Sequence, residues 1–154
     1  MKKIIAAFMI FPLLIGAENE KVTPLPDPPG IAERVAESDL ILHVTLLHTI
    51  VYEIGKERTA QPRFEILRIL KPSILFPLTK NSRFSVSYTL KSDEWGPYYQ
   101  EPAPEGEYVL FLNIRALKTK EATRYYPEMI MPNQYALEEV EITPVTVVTS
   151  LIQK

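Results

Sequence analysis

The sequence predicts an all-β fold, a small closed barrel of five strands with one short helix ahead of it. Three observations carry this. Apolar residues alternate with period two over most of the chain, turn residues recur between those runs, and two of the runs slip phase by one residue. A one-residue slip is what a β-bulge produces, and bulged strands bend, so the sheet is expected to curl until its edges meet.

The helix comes first. Residues 31–38 read Ile-Ala-Glu-Arg-Val-Ala-Glu-Ser, with Ile31 and Val35 on one helical face and Glu33, Arg34 and Glu37 on the wet one. From 40 to 52 the period becomes two, with Leu40, Leu42, Val44, Leu46, Ile50 and Tyr52 on one face and His43, Thr45 and Thr49 on the other. That is a long strand, and parity puts His48 in its inward row. Residues 53–62 are polar, with Gly55 as a turn signal. The second strand, 63–71, has Phe64 and Ile66 in phase and Ile69 one step out, the first slip, and Pro72 and Pro77 close it.

Residues 83–90 form the third strand, with Phe84, Val86, Tyr88 and Leu90 inward and Arg83, Ser85, Ser87 and Thr89 outward. A long loop, 91–106, leads to residues 107–114, which are apolar on both faces, as a strand covered from both sides and central in the sheet would be. The fifth run, 135–142, holds the second slip: Tyr135 and Leu137 share one parity, Val140 and Ile142 the next. Residues 145–152 fit two patterns. Val145, Val147 and Thr149 suit a strand, whereas Val148, Leu151 and Ile152 form a helical stripe, and the strand is preferred. Short strands in this number are most economically closed as an oligonucleotide/oligosaccharide-binding-type (OB-like) barrel.

Ahead of this domain lies an expected export leader. Lys2 and Lys3 precede an uncharged apolar run, 4–15, and the small pair Gly16-Ala17 precedes Glu18, the layout of a secretory signal peptide over residues 1–17. The run is shorter than the ~20 residues a spanning helix needs, and Pro12 interrupts it. Residues 18–30 carry Pro24, Pro26, Pro28 and Pro29 and read as a Pro-rich arm, leaving 31–154 as a single domain. The expected location is periplasmic or secreted.

Composition narrows the function classes. The formal charge is -2, and -4 once Lys2 and Lys3 are removed, with no basic run to meet a phosphate backbone, so nucleic acid is not an expected partner. The chain has no cysteine, which removes disulfide staples, a lipid attachment point and a thiol nucleophile together. No membrane insertion is expected after leader cleavage, and no cofactor.

The order of segments carries a resemblance. Residues 31–41 (Ile-Ala-Glu-Arg-Val-Ala-Glu-Ser-Asp-Leu-Ile), 63–71 (Arg-Phe-Glu-Ile-Leu-Arg-Ile-Leu-Lys) and 104–112 (Pro-Glu-Gly-Glu-Tyr-Val-Leu-Phe-Leu) together resemble bacterial secreted proteins with the OB-like barrel of the tissue-inhibitor-of-metalloproteinase and netrin-module superfamily. The resemblance spans 31 to about 142 and implies a fold. The eukaryotic inhibitors of that superfamily ligate their target's metal through an N-terminal cysteine. This chain has none, so no inhibitory residue is carried over.

Among candidate sites, His43 and His48 are the only histidines. Their odd spacing points them to opposite faces of an unbroken strand, so a shared metal ion is not expected. The serines lack a Gly-x-Ser-x-Gly elbow, and the carboxylate pairs Asp93/Glu94 and Glu138/Glu139 read as solvated surface charges rather than an acid and a base. No catalytic residue is assigned. The distinctive segment is the loop 91–106, where Trp95, Tyr98 and Tyr99 stand among Asp93, Glu94, Glu101 and Glu105. Aromatic rings beside acids suit a cationic peptide or a sugar, and the alternative is that the rings fold back as a lid over the barrel mouth. A second cluster, residues 124–131 with Tyr125 and Tyr126, either lines the same mouth or is an apolar flap or edge packed on the core. The expected function is an exported, non-catalytic binding or protein-interaction module of the bacterial cell envelope, meeting an envelope protein or peptide. A structural or accessory envelope domain is the alternative, and a hydrolase or protease inhibitor comes third.

Overall fold

The computed structural model describes residues 29–54, 57–90, 105–130 and 136–154. The leader 1–17, most of the arm 18–30, and Trp95, Tyr98, Tyr99, Asp93 and Glu94 lie outside the described residues. Among the described residues the elements run in order: α1 (Ile31–Glu37), β1 (Leu40–Ile54), β2 (Glu57–Lys71), β3 (Arg83–Ser85), β4 (Tyr88–Leu90), β5 (Glu107–Lys118), β6 (Thr123–Met129), β7 (Leu137–Glu139) and α2 (Val145–Ile152). The fold is mostly β. All pairings are antiparallel along the path β3-β2-β1-β5-β6, with β4 also on β2 and β7 on β5. The sheet curls into a half-barrel.

Bulges cause the curl. In the β1–β2 ladder Val44 faces Ile66 and His43 faces Arg68, leaving Leu67 as an extra residue, which is the slip expected in the second strand. Leu70 is a second extra residue, between Ile69 and Lys71. A third, Leu47, sits on β1 between Leu46 and His48 and overturns an expectation. It reverses the parity of everything beyond it, so His48 is exposed rather than inward, and Ile50 (51%) and Tyr52 (37%) are turned out with it. The hairpin is also longer than its polar tip suggested. β1 and β2 pair from Ile54–Glu57 onward, because backbone hydrogen bonds alone continue a ladder past the apolar core.

One face of the curled sheet buries Leu40, Leu42, Val44, Leu46, Phe64, Ile66, Tyr108, Leu110 and Leu112. The third strand turns Val86 and Tyr88 into this core, with Phe84 partly buried and its ring 5.7 Å from that of Phe64, while Arg83, Ser85 and Ser87 face out as expected. It is broken at Val86–Ser87 into β3 and β4. The other face, with Ile41, Val109 and Phe111 fully buried, is covered by helices, which is why β5 is apolar on both sides.

Two segments depart from the sequence reading near the C-terminus. Residues 145–152 are a second helix, not a strand: Val148 is fully buried, and α2 packs on α1 and β2. β-branched residues favour strands weakly, and burial of the Val148, Leu151 and Ile152 stripe outweighs that preference. The expected bulge in 135–142 is a turn instead. β7 ends at Glu139, whose carbonyl accepts from both Ile142 N–H (3.0 Å) and Thr143 N–H (2.9 Å). β6, within the 124–131 cluster, is a strand paired to β5, and its ladder accommodates Pro127. Ile130 N–H points to Phe111 O, so by alternation the nitrogen of Pro127 faces away from β5, where no donor is needed.

Candidate functional site

The end of β5 that receives the 91–106 loop is built onto the β1 bulge. Glu105 N–H donates to Leu46 O at 2.7 Å, Leu46 N–H donates back to Gly106 O at 3.0 Å, and Thr45 Oγ1 also donates to Gly106 O at 3.2 Å. Glu105 takes a left-handed backbone (φ 64°) to enter this junction. Gly106 is glycine for a contact reason: a Cβ there would fall 2.7 Å from the Tyr108 hydroxyl and under 3 Å from its ring. The hydroxyl end of Tyr108 thereby lies against the junction, and the residue is buried.

β7 and the turn after it then bring Glu139 and Glu141 beside the start of β5. Tyr108 pairs with Glu139 and Val109 with Glu138, and Val140 N–H reaches Glu107 O at 3.2 Å. The result is an open cleft of about 450 Å³ lined by Glu105, Gly106, Glu107, Tyr108, Glu139, Val140 and Glu141. Its four carboxylates are exposed. Glu107 also holds His43, Nε2 to Oε2 at 2.8 Å, with the imidazole largely covered and the carboxylate half-exposed. By alternation Glu107 shares the strand face of His43 and Glu138, while Glu139 is on the face of Tyr108, so the cleft lies at the sheet rim with acids on either side, and their field attracts a cation.

Glu138, expected as a surface charge, points to the opposite face of β7 and is only 17% exposed. It accepts from Arg34 Nη1 at 2.8 Å and from Thr143 Oγ1 at 2.9 Å. Arg34, expected on the wet face of α1, is buried and lies over the Phe111 ring, 5.2 Å from its centroid. The reversal has one cause: α2 and the β7 turn close over this flank of α1. Among the described residues no three His, Asp or Glu side chains are grouped so as to hold a metal ion. His43 and His48 are kept apart by strand and bulge.

Of the residues singled out from sequence, the loop aromatics and acids Trp95, Tyr98, Tyr99, Asp93 and Glu94 lie outside the described residues, and Glu105 stands in the cleft. Tyr125 (40%) and Tyr126 (46%) are exposed on β6, while Met129 and Ile130 are buried. The partners Glu107, Glu139 and Glu141 were not anticipated as a site, because only the β5–β7 pairing brings 105–107 beside 139–141. Among the described residues, no helix is long and apolar enough to cross a membrane. No protein-family model matches the chain, and no curated protein matches it in sequence.

Proposed function

We propose that the chain is an exported, non-catalytic interaction module of the bacterial envelope whose acidic cleft takes a cationic segment of a partner protein. The observation that carries this is one open cleft whose lining includes four acidic residues, Glu105, Glu107, Glu139 and Glu141. That cleft stands where the loop bearing Trp95, Tyr98, Tyr99, Asp93 and Glu94 joins β5. Carboxylates speed and orient the encounter with a basic segment, and aromatic rings add contact area at low entropy cost. The leader-like residues 1–17 support the compartment. The curled sheet, with β1 between β2 and β5, supports reading the whole as a closed OB-like barrel of the type in the tissue-inhibitor-of-metalloproteinase and netrin-module superfamily, with its apolar core inside and its rim free for binding.

Calorimetric titration with an oligolysine peptide, and with oligoglutamate as control, tests the reading. Oligolysine is expected to bind, more weakly as salt rises. The E105Q/E139Q/E141Q variant is expected to lose most of that affinity while unfolding at the same urea concentration. Equal binding by the variant, or no heat from oligolysine at low salt, would overturn it.

A further inference from the structure

The β2–β3 connection is a surface of a different kind. Its base is fixed: Asn81 N–H donates to Ile66 O at 2.8 Å, Ile66 N–H to Ser82 O at 3.0 Å, and Ser82 Oγ to Thr79 O at 2.6 Å. Asn81 holds φ at 65°, a conformation asparagine adopts more readily than most residues. Pro72 and Pro77 restrict the backbone on either side of the tip, and Phe76 and Leu78 pack partly on the core. Between them Ile74 is 96% exposed and Leu75 48%. An aliphatic knob is thus presented outward by a shaped loop.

The chain segment that carries the knob has charge of one sign. From Arg68 to Arg83 the chain carries four cations, Arg68, Lys71, Lys80 and Arg83, and no acid, in a protein of formal charge -2. Two of the four are engaged: Arg83 pairs with Glu65 at 3.0 Å, and Lys71 donates to the carbonyls of Val35 and Ser38, beside Glu37 and Asp39. Arg68 and Lys80 are exposed.

The geometry points to an anionic lipid surface as the occupant, with Ile74 and Leu75 entering the headgroup–acyl boundary and Arg68 and Lys80 reaching lipid phosphates. A convex aliphatic tip flanked by long-stemmed cations is what a bilayer interface accepts, whereas anchors into protein pockets are dominated by Trp, Tyr and Arg. The inference rests on the loop alone and is independent of the acidic cleft.

The absence of native cysteine makes a single-site label possible. Full-length I74C and, as control in the β5–β6 turn, E121C are labelled with an environment-sensitive fluorophore. They are mixed with vesicles of phosphatidylglycerol and phosphatidylcholine in equal parts, or of phosphatidylcholine alone. The label at 74 is expected to brighten and shift to the blue with the anionic vesicles only, and the label at 121 to stay unchanged. Adding R68S/K80S is expected to weaken partitioning by about fivefold per cation removed. No change at 74, an equal change at 74 and 121, or an equal response to neutral vesicles would overturn the proposal. So would a change at 74 that grows with protein concentration without vesicles, which would assign the knob to a second copy of the chain.

Discussion

Arg34 and Glu138 are 104 residues apart in the chain and 2.8 Å apart in space, and their ion pair ties α1 to β7 on the helix-covered face of the sheet. The guanidinium is 7% exposed and the carboxylate 17%, so neither charge is well solvated. Removing one partner strands the other. Arg34→Ala is expected to lower unfolding stability by about 3 kcal/mol, read from urea denaturation, whereas replacing both with apolar residues of similar volume (R34M/E138L) costs much less. A single-variant loss no larger than that of the double variant would contradict the pair's role.

Lys71 closes α1 from the opposite side. Its Nζ donates to the Val35 and Ser38 carbonyls, where a helix leaves acceptors unsatisfied and its dipole favours a cation. Lys71→Met keeps the stem and removes the donors. It is expected to cost about 1–2 kcal/mol in the same assay.

The C-terminal segment offers a test of periodicity. On a helix Val148 is inside and Val147 outside, and the structure has them at 0% and 45% exposure. Val148→Ala is expected to destabilise by roughly 1–3 kcal/mol and Val147→Ala by less than about 0.5 kcal/mol. Comparable losses at both sites would contradict the helix.

The fold was legible wherever side chains had to choose a face. Phe84, Val86 and Tyr88 on the third strand follow from period two, and the doubly buried stretch of β5 from its unbroken apolar run. What escaped depends on partners distant in sequence. The Leu47 bulge turned His48 out, because no local pattern distinguishes a residue that is extra in the ladder from one that is paired. Arg34 and Glu138 look like surface charges until α2 and β7 cover them. The acidic cleft was half legible: Glu105 belonged to a loop already singled out, but Glu139 and Glu141 join it only through the β5–β7 register. β6 lacks a period-two apolar pattern, with Tyr125 and Tyr126 both exposed, and its Pro127 is tolerated because its nitrogen faces away from β5.

Gly106 lies against Tyr108 in the lining of the cleft, and its replacement tests the junction. In Gly106→Ala the new methyl group meets the Tyr108 ring at 2.7–2.9 Å, so the ring must move. A loss of about 1–3 kcal/mol is expected, partly relieved when Tyr108 is shortened to Leu in the double variant. Additive losses would mean the two residues do not meet.

The central claim is that the acidic cleft and the aromatic loop form one binding surface, and Trp95, the only tryptophan, reports on it most directly. Quenching of its fluorescence by acrylamide is to be measured with and without oligolysine, in the wild type and in E105Q/E139Q/E141Q. The account predicts strong quenching of the free protein, protection on adding the peptide, and no protection in the variant. A tryptophan shielded before any peptide is added, or one whose quenching the peptide leaves unchanged, would contradict it.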